Sequence, residues 1–182
     1  IYGSLGHEIL ESNSNTKIEV KTGYIFESSI TGIDKSMDGH PGEKKARFNS
    51  KNVFGTIDKN TIYGIFGTYQ KDIDTTNLIE VGKKEDVKIG KAYIYTVLND
   101  NKIEKFEINI TNINDYNKIK NINFEITDER LLNETGGIVQ GMSGSPIVQD
   151  DKVIGVVTHV VIDKVKSGYG LFITTMLEEG ER

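Results

Sequence analysis

Apolar residues alternate with polar ones, or cluster a few at a time, and glycine, asparagine or aspartate cuts each run off before it reaches helical length. Such runs occupy Lys17 to Val20, Tyr24 to Ile30, Thr61 to Gly67, Lys91 to Leu98, Lys102 to Ile110, Asn121 to Ile126, Pro146 to Val148, Val153 to Ile162 and Gly170 to Thr174. Alternation sends neighbouring side chains to opposite faces of an extended backbone, so each run predicts a half-buried strand. Asn99-Asp100-Asn101 and Asp150-Asp151-Lys152 fall between runs and predict hairpin loops, because Asn and Asp tolerate the positive φ of tight turns. Lys35 to Asn52, rich in lysine and containing His40-Pro41-Gly42, reads as a long surface loop. Polar, unpatterned Lys71 to Glu85 reads as the connection between an N-terminal half, residues 1–75, and a C-terminal half, residues 86–182. The tail from Thr175 to Arg182 reads as a turn of helix. Many short strands with frequent turns predict an all-β barrel or sandwich.

Composition strengthens that reading. Alanine, the best helix former, occurs only at Ala46 and Ala92, while Ile, Val, Thr and Tyr are frequent. The 182 residues suffice for one compact domain or two closely packed halves. A net charge of -5, with both signs interspersed, argues against nucleic acid or an anionic membrane surface as a partner, since the average surface field repels both. Cysteine is absent, which removes thiol catalysis, disulfides and thiolate metal sites. No apolar run approaches the roughly 20 residues of a membrane span, and no basic, then apolar, then small-residue leader opens the chain. Ile1 in place of an initiator Met predicts a processed or trimmed product.

The stretch Gly136-Gly137-Ile138-Val139-Gln140-Gly141-Met142-Ser143-Gly144-Ser145-Pro146 is shaped to expose one serine. Glycines on both sides of Ser143 allow a tight turn that aims the amide N–H groups of Gly141 and Ser143 at one point, as an oxyanion hole requires. A Gly-x-Ser-Gly run also occurs in ordinary turns, and it is the glycine density of the whole segment that favours the chemical reading. A serine hydroxyl needs a base within hydrogen-bond reach, and the chain offers three histidines. His7, after Leu5-Gly6, is the best base by context, although spacing alone does not select it. His40 reads as a solvated loop residue, and His159, flanked by threonine and valine, as a partly buried strand residue lining a cleft. Two rival chemistries fail on the residues. His7-Glu8 meets Glu11 where a zinc-protease helix needs its second histidine. An α/β-hydrolase elbow needs glycine where Ser145 stands and a helix where Pro146 opens a strand.

Taken together, these residues resemble the SpoIVB peptidases, serine proteases of spore-forming bacteria. The segments that carry the resemblance are Gly3-Ser4-Leu5-Gly6-His7, Pro41-Gly42-Glu43-Lys44, Gly55-Thr56-Ile57, Thr127 to Leu132, Thr135 to Pro146 and Val153 to Val160, which span nearly the whole chain. The resemblance implies a trypsin-like double β-barrel with the active site between the barrels, the first carrying His7 and the second Asp128 and Ser143. It implies Ser143 as nucleophile, His7 as general base and Asp128 as the acidic partner that orients the imidazole. Asp128 lies only 15 residues before Ser143 (143 minus 128), in the second half, where trypsin-like enzymes place the acid in the first; Asp58, Asp72 and Asp74 are the alternatives.

By the same analogy, Val157, Thr158 and His159 form the strand that receives an extended peptide. Gly137 to Gln140 and Gly168-Tyr169-Gly170 wall the specificity pocket, so Gly137, Gln140 and Tyr169 join the substrate-binding set. None of these supplies a charged floor, which predicts a preference for small or apolar residues before the scissile bond. The resemblance further implies a protein that cleaves itself and a membrane-bound regulator of sigma factor processing, in the space between forespore and mother cell. It also implies a membrane anchor and a PDZ domain ahead of the peptidase, neither of which this chain contains. No metal or cofactor is expected. The rival readings are a catalytically silent peptide-binding module on the same scaffold, and a structural β-domain in which the glycines around Ser143 have no purpose.

Overall fold

A computed structural model describes residues 1–182. Its C-terminal half is built from β7 (Gly90–Val97), β8 (Ile103–Ile113), β9 (Ile122–Ile126), β10 (Pro146–Gln149), β11 (Lys152–Val160) and β12 (Ser167–Phe172). The ladder runs β10-β7-β8-β9-β12-β11, and pairing of β10 with β11 closes it into a six-stranded barrel. Each of these strands overlaps a run read from the sequence. In β9 and the middle of β8 every second residue is buried, with Phe106, Ile108, Ile110, Ile122, Phe124 and Ile126 all facing inward. Closure leaves no free strand edge and fills the interior with apolar side chains. The two predicted hairpin loops are present, with Asp100 at φ 49° and Asp150 and Asp151 at φ 49° and 60°.

The N-terminal half is hydrogen-bonded as two smaller sheets. β1 (Tyr2–Ser4), β5 (Gly64–Gly67) and β4 (Lys59–Thr61) form one of them, and β2 (Tyr24–Asp34) with β3 (Glu43–Thr56) forms a long hairpin. A separate apolar cluster of Phe66 on β5, Val156 on β11, Leu171 on β12 and Met176 joins the small sheet to the outside of the barrel. Met176 belongs to helix α2 (Ile173–Glu181), which extends the helical turn expected of the tail by two residues toward the N-terminus.

The structure departs from the sequence reading in four places. Lys35 to Asn52 is not one loop: its second part is the start of β3, paired with β2 from Glu43 opposite Asp34 to Asn49 opposite Glu27. The hairpin stands largely in solvent on both faces, with Phe48 71% exposed, so burial imposes no alternation on its sequence. Lys17 to Val20 contributes only an isolated bridge, Leu10 to Lys17. Glu129–Thr135 forms a short helix, α1, that periodicity did not signal. Within the expected connection 71–85, Glu80–Val81 (β6) adds a two-residue parallel strand to β11, followed by a 3-10 turn at Lys84–Asp86. No helix is long and apolar enough to cross a membrane.

Candidate active site

His7 lies just beyond β1, on a stretch of backbone that few residues can form. The Gly6 amide donates to the Ser4 carbonyl (3.0 Å), closing a γ-turn with Leu5 at φ 71°, and Gly6 itself sits at φ 71°. A Cβ on Gly6 would lie 2.7 Å from Val156 Cγ2 and 2.8 Å from Thr158 Cγ2, so only glycine lets this turn settle on β11. The turn delivers the imidazole to Ser143, with Nε2 2.9 Å from Oγ. His7 Nδ1 lies 2.9 Å from the Glu8 carbonyl oxygen, which can only accept. That contact places the ring proton on Nδ1 and leaves Nε2 as an acceptor for the serine O–H. The hydroxyl has a second acceptor within reach, the Thr158 carbonyl at 3.0 Å.

The serine is held between two turns. The Met142 amide donates to the Val139 carbonyl and the Ser145 amide to the Met142 carbonyl, while fully buried Met142 anchors the loop in the barrel core. Gly144 at φ 83° donates to the Val157 carbonyl (2.8 Å), and a Cβ there would lie 2.7 Å from the Leu5 amide nitrogen. Gly141 is at φ 90°, a conformation costly for any side-chain-bearing residue. The amide N–H groups of Gly141 and Ser143 meet no protein acceptor, although every other amide from Ile138 to Ser145 but Val139 donates to a backbone carbonyl. Two free, preset donors beside a serine held by an imidazole are what stabilisation of a tetrahedral oxyanion requires.

Asp128 is elsewhere. It is the N-cap of α1, where Oδ1 accepts from the Arg130 and Leu131 amides and Oδ2 from the Glu107 amide and the Arg130 guanidinium. Partial burial works to raise its pKa, but the Glu107 and Leu131 amides and Arg130 outweigh it and hold the carboxyl below its ordinary value. No hydrogen bond links it to His7, whose Nδ1 is occupied by the Glu8 carbonyl. The other aspartates are committed locally or exposed: Asp58 accepts from Thr56 and Thr68, Asp74 from Thr76, and Asp72 lies in solvent.

On one side of Ser143 a cavity of about 300 Å³ is walled by Gln140, Val157, Thr158 and His159 from the expected set, and by Ile138, Val139 and Val160. Pro41 and Ile162, which sequence reading missed, complete it. Gly137 and Tyr169 do not line it. Gly137 is pressed on the Val165 carbonyl, and the Tyr169 ring lies under Lys120 Nζ at 4.8 Å. His159 faces His7 with ring centroids 5.3 Å apart, and its buried Nδ1 has no partner. Burial, then repulsion from His7 and Lys120, pushes its pKa down to about 4, so it stays neutral beside the base. His40 is exposed, as expected. No three His, Asp or Glu side chains converge as metal ligands.

The sequence model for SpoIVB peptidase S55 matches residues 1–177. The chain belongs to this family. It is therefore a serine peptidase, and a polypeptide is its substrate. No curated protein matches the peptidase by sequence. Among solved structures it is similar to an inactive form of Rv3671c from M. tuberculosis carrying a Ser-to-Ala mutation, at 15% identity and a TM-score of 0.47, covering 76% of this chain and 70% of that one.

Two outcomes follow for the peptidase. Asn caps helices about as well as Asp, so Asp128→Asn should keep kcat/KM within about tenfold and Asp128→Ala should lose about 1 kcal/mol of stability. If Asp128 instead oriented His7, the Asn variant would lose roughly 10⁴ in kcat, and steady-state kinetics beside urea unfolding separates the two. His159 has a folded pKa below its ordinary 6.5, so its neutral form contributes stability that is whole above pH 6.5 and lost as pH falls through about 4. The thermal midpoint of the parent should therefore drop more steeply between those pH values than that of His159→Gln; parallel curves would contradict this.

Proposed function

We propose that the peptidase cleaves by nucleophilic attack of Ser143, with His7 as general base and the Gly141 and Ser143 amides as oxyanion hole. The contact of 2.9 Å between His7 Nε2 and Ser143 Oγ, across 136 residues of sequence, carries the reading. His7 takes the hydroxyl proton as Oγ attacks the peptide carbonyl, then returns it to the leaving amine. The Glu8 carbonyl fixes the tautomer, the role first expected of Asp128. Asp128 is a positioning residue: it caps α1, whose last turn leads through Gly136 into the serine loop.

The wall of Pro41, Ile138, Val139, Val157, Val160 and Ile162 supports selection of a small or apolar side chain before the scissile bond. The physiological role we propose is that of a sporulation signalling protease, which cleaves itself and then a membrane-bound regulator of sigma factor processing, outside the cytoplasm between forespore and mother cell. Family membership supports it, because the catalytic unit here is the one that such proteins carry.

A fluorophosphonate reagent should label Ser143 of the parent stoichiometrically and His7→Ala at a rate lower by at least about a hundredfold, the usual worth of a general base. Equal labelling of both would remove His7 from the mechanism, and no labelling of either would favour a silent peptide-binding module. Peptides differing only before the scissile bond should be cleaved best with Val or Ala, and a strong preference for Arg would refute the apolar pocket.

A further inference from the structure

Ser143 is the only residue that lines both the cavity walled by Val139 and Val157 and a second, larger one. The proposed mechanism seats the side chain before the scissile bond in the first, which puts the other, of about 480 Å³, on the side of the leaving segment. Apolar Ile30, Ile79 and Ile103 line it together with Thr96, Gly141 and Ser145, and it holds one cation, Lys44. Lys44, the second residue of β3, is fixed at both ends. Its amide donates to the Gln140 carbonyl (2.9 Å), while the Gln140 amide donates to the Gly42 carbonyl (2.8 Å). Its stem runs along Gly141, where a Cβ would meet Lys44 Cβ, Cδ and Cγ at 3.2 to 3.4 Å. At the far end Nζ donates to Thr96 Oγ1 at 2.6 Å, and Thr96 Oγ1 also accepts from Ser145 Oγ at 3.0 Å.

No carboxylate pairs with this ammonium. Asp100 lines the same cavity but makes no ion pair with it, in contrast to Lys45, which reaches Asp34 at 2.7 Å. A partly buried ammonium with one neutral oxygen for a partner is costly, and such groups are ordinarily paired. Burial accordingly pushes the Lys44 pKa down to about 8. A charge kept in the cleft without a protein counterion has its site open for one brought by a ligand.

We propose that Lys44 is a specificity-determining residue that binds a carboxylate, Asp or Glu, within the two residues following the scissile bond. The substrate class is then an apolar residue followed closely by an acidic one. The peptide would satisfy the donor directions that Thr96 leaves free, and the paired charge would sit beside the Gly141 amide on the leaving-group side. The proposal rests on Ser143 marking the scissile bond, as the proposed mechanism has it.

Binding, which needs no turnover, tests it. Fluorescent peptides with Val before the scissile bond and Glu, Gln or Lys at each of the next two positions are titrated into the Ser143→Ala protein. A Glu peptide should bind about tenfold more tightly than its Gln counterpart, the scale of one partly desolvated charge pair. Adding Lys44→Met should erase that difference, and Lys44→Arg should retain it. Equal affinities of Glu and Gln peptides for the Ser143→Ala protein would overturn the proposal without recourse to any Lys44 variant. A difference that survives Lys44→Met would overturn it as well. Discrimination that persists in a protein whose Ser143 resists labelling would sink the catalytic reading, and with it the placement after a scissile bond, and leave Lys44 as a carboxylate-binding residue only.

Discussion

The site depends on how closely the N-terminal turn can approach β11 and the serine loop. Gly6 settles on Val156 and Thr158 at a distance that excludes a Cβ, and Gly144 does the same against the Leu5 amide. Without those two contacts the N-terminal turn would stand off from β11, and the imidazole would lose Ser143. The approach costs conformational strain, since Leu5 occupies the left-handed region without being glycine, at roughly 1–2 kcal/mol. Packing of Phe66, Val156, Leu171 and Met176 behind the turn offsets it: burying side chains of this kind is worth roughly 1.5–3 kcal/mol each. A strained turn backed by an apolar cluster is a means of fixing a base to within hydrogen-bond tolerance.

That constraint explains which parts of the protein its sequence disclosed. The barrel strands were readable because closure buries one face of each, so Phe106, Ile108 and Ile110 must alternate with polar neighbours. β3 was hidden for the opposite reason, because a hairpin in water on both faces has no face to mark. Helix α1 is too short for periodicity, yet its ends were written plainly: Asp128 is an N-cap residue, and Gly136 takes the left-handed position after the last turn. Reading those two signals together would have assigned Asp128 a capping role from the sequence alone.

The site divides in the same way. Ser143, Gly141 and His7 were legible because their neighbours must be glycine for backbone reasons, and glycine clusters are visible in one dimension. Pro41, Ile162 and Lys44 were not, since each reaches the cleft through a long-range contact that no local pattern records. The bridge from Glu43 to Gln140 spans 97 residues (140 minus 43) and is what brings the start of β3 to the serine loop. Segment similarity gathered Pro41, Gly42 and Lys44 into one motif, but only the fold gives that motif work to do.

In the proposed mechanism the Glu8 carbonyl stands where a carboxylate was expected, which changes how the chemistry is shared. A carbonyl fixes the tautomer as firmly as a carboxylate does, but it brings a partial charge where the other brings a full one, and so compensates less of the positive charge that forms on His7 during attack. Neutral His159, 5.3 Å away, does not compensate for it either. The proposed mechanism therefore leans more on the oxyanion side, where the Gly141 and Ser143 amides lie free. Lys44 runs past the first of these amides with its charge unpaired, so a substrate that neutralises Lys44 would also alter the field at the oxyanion hole. In the proposed scheme, binding of the leaving segment and stabilisation of the oxyanion are joined through one residue, Gly141, whose φ of 90° disfavours any side chain and which packs against the lysine stem.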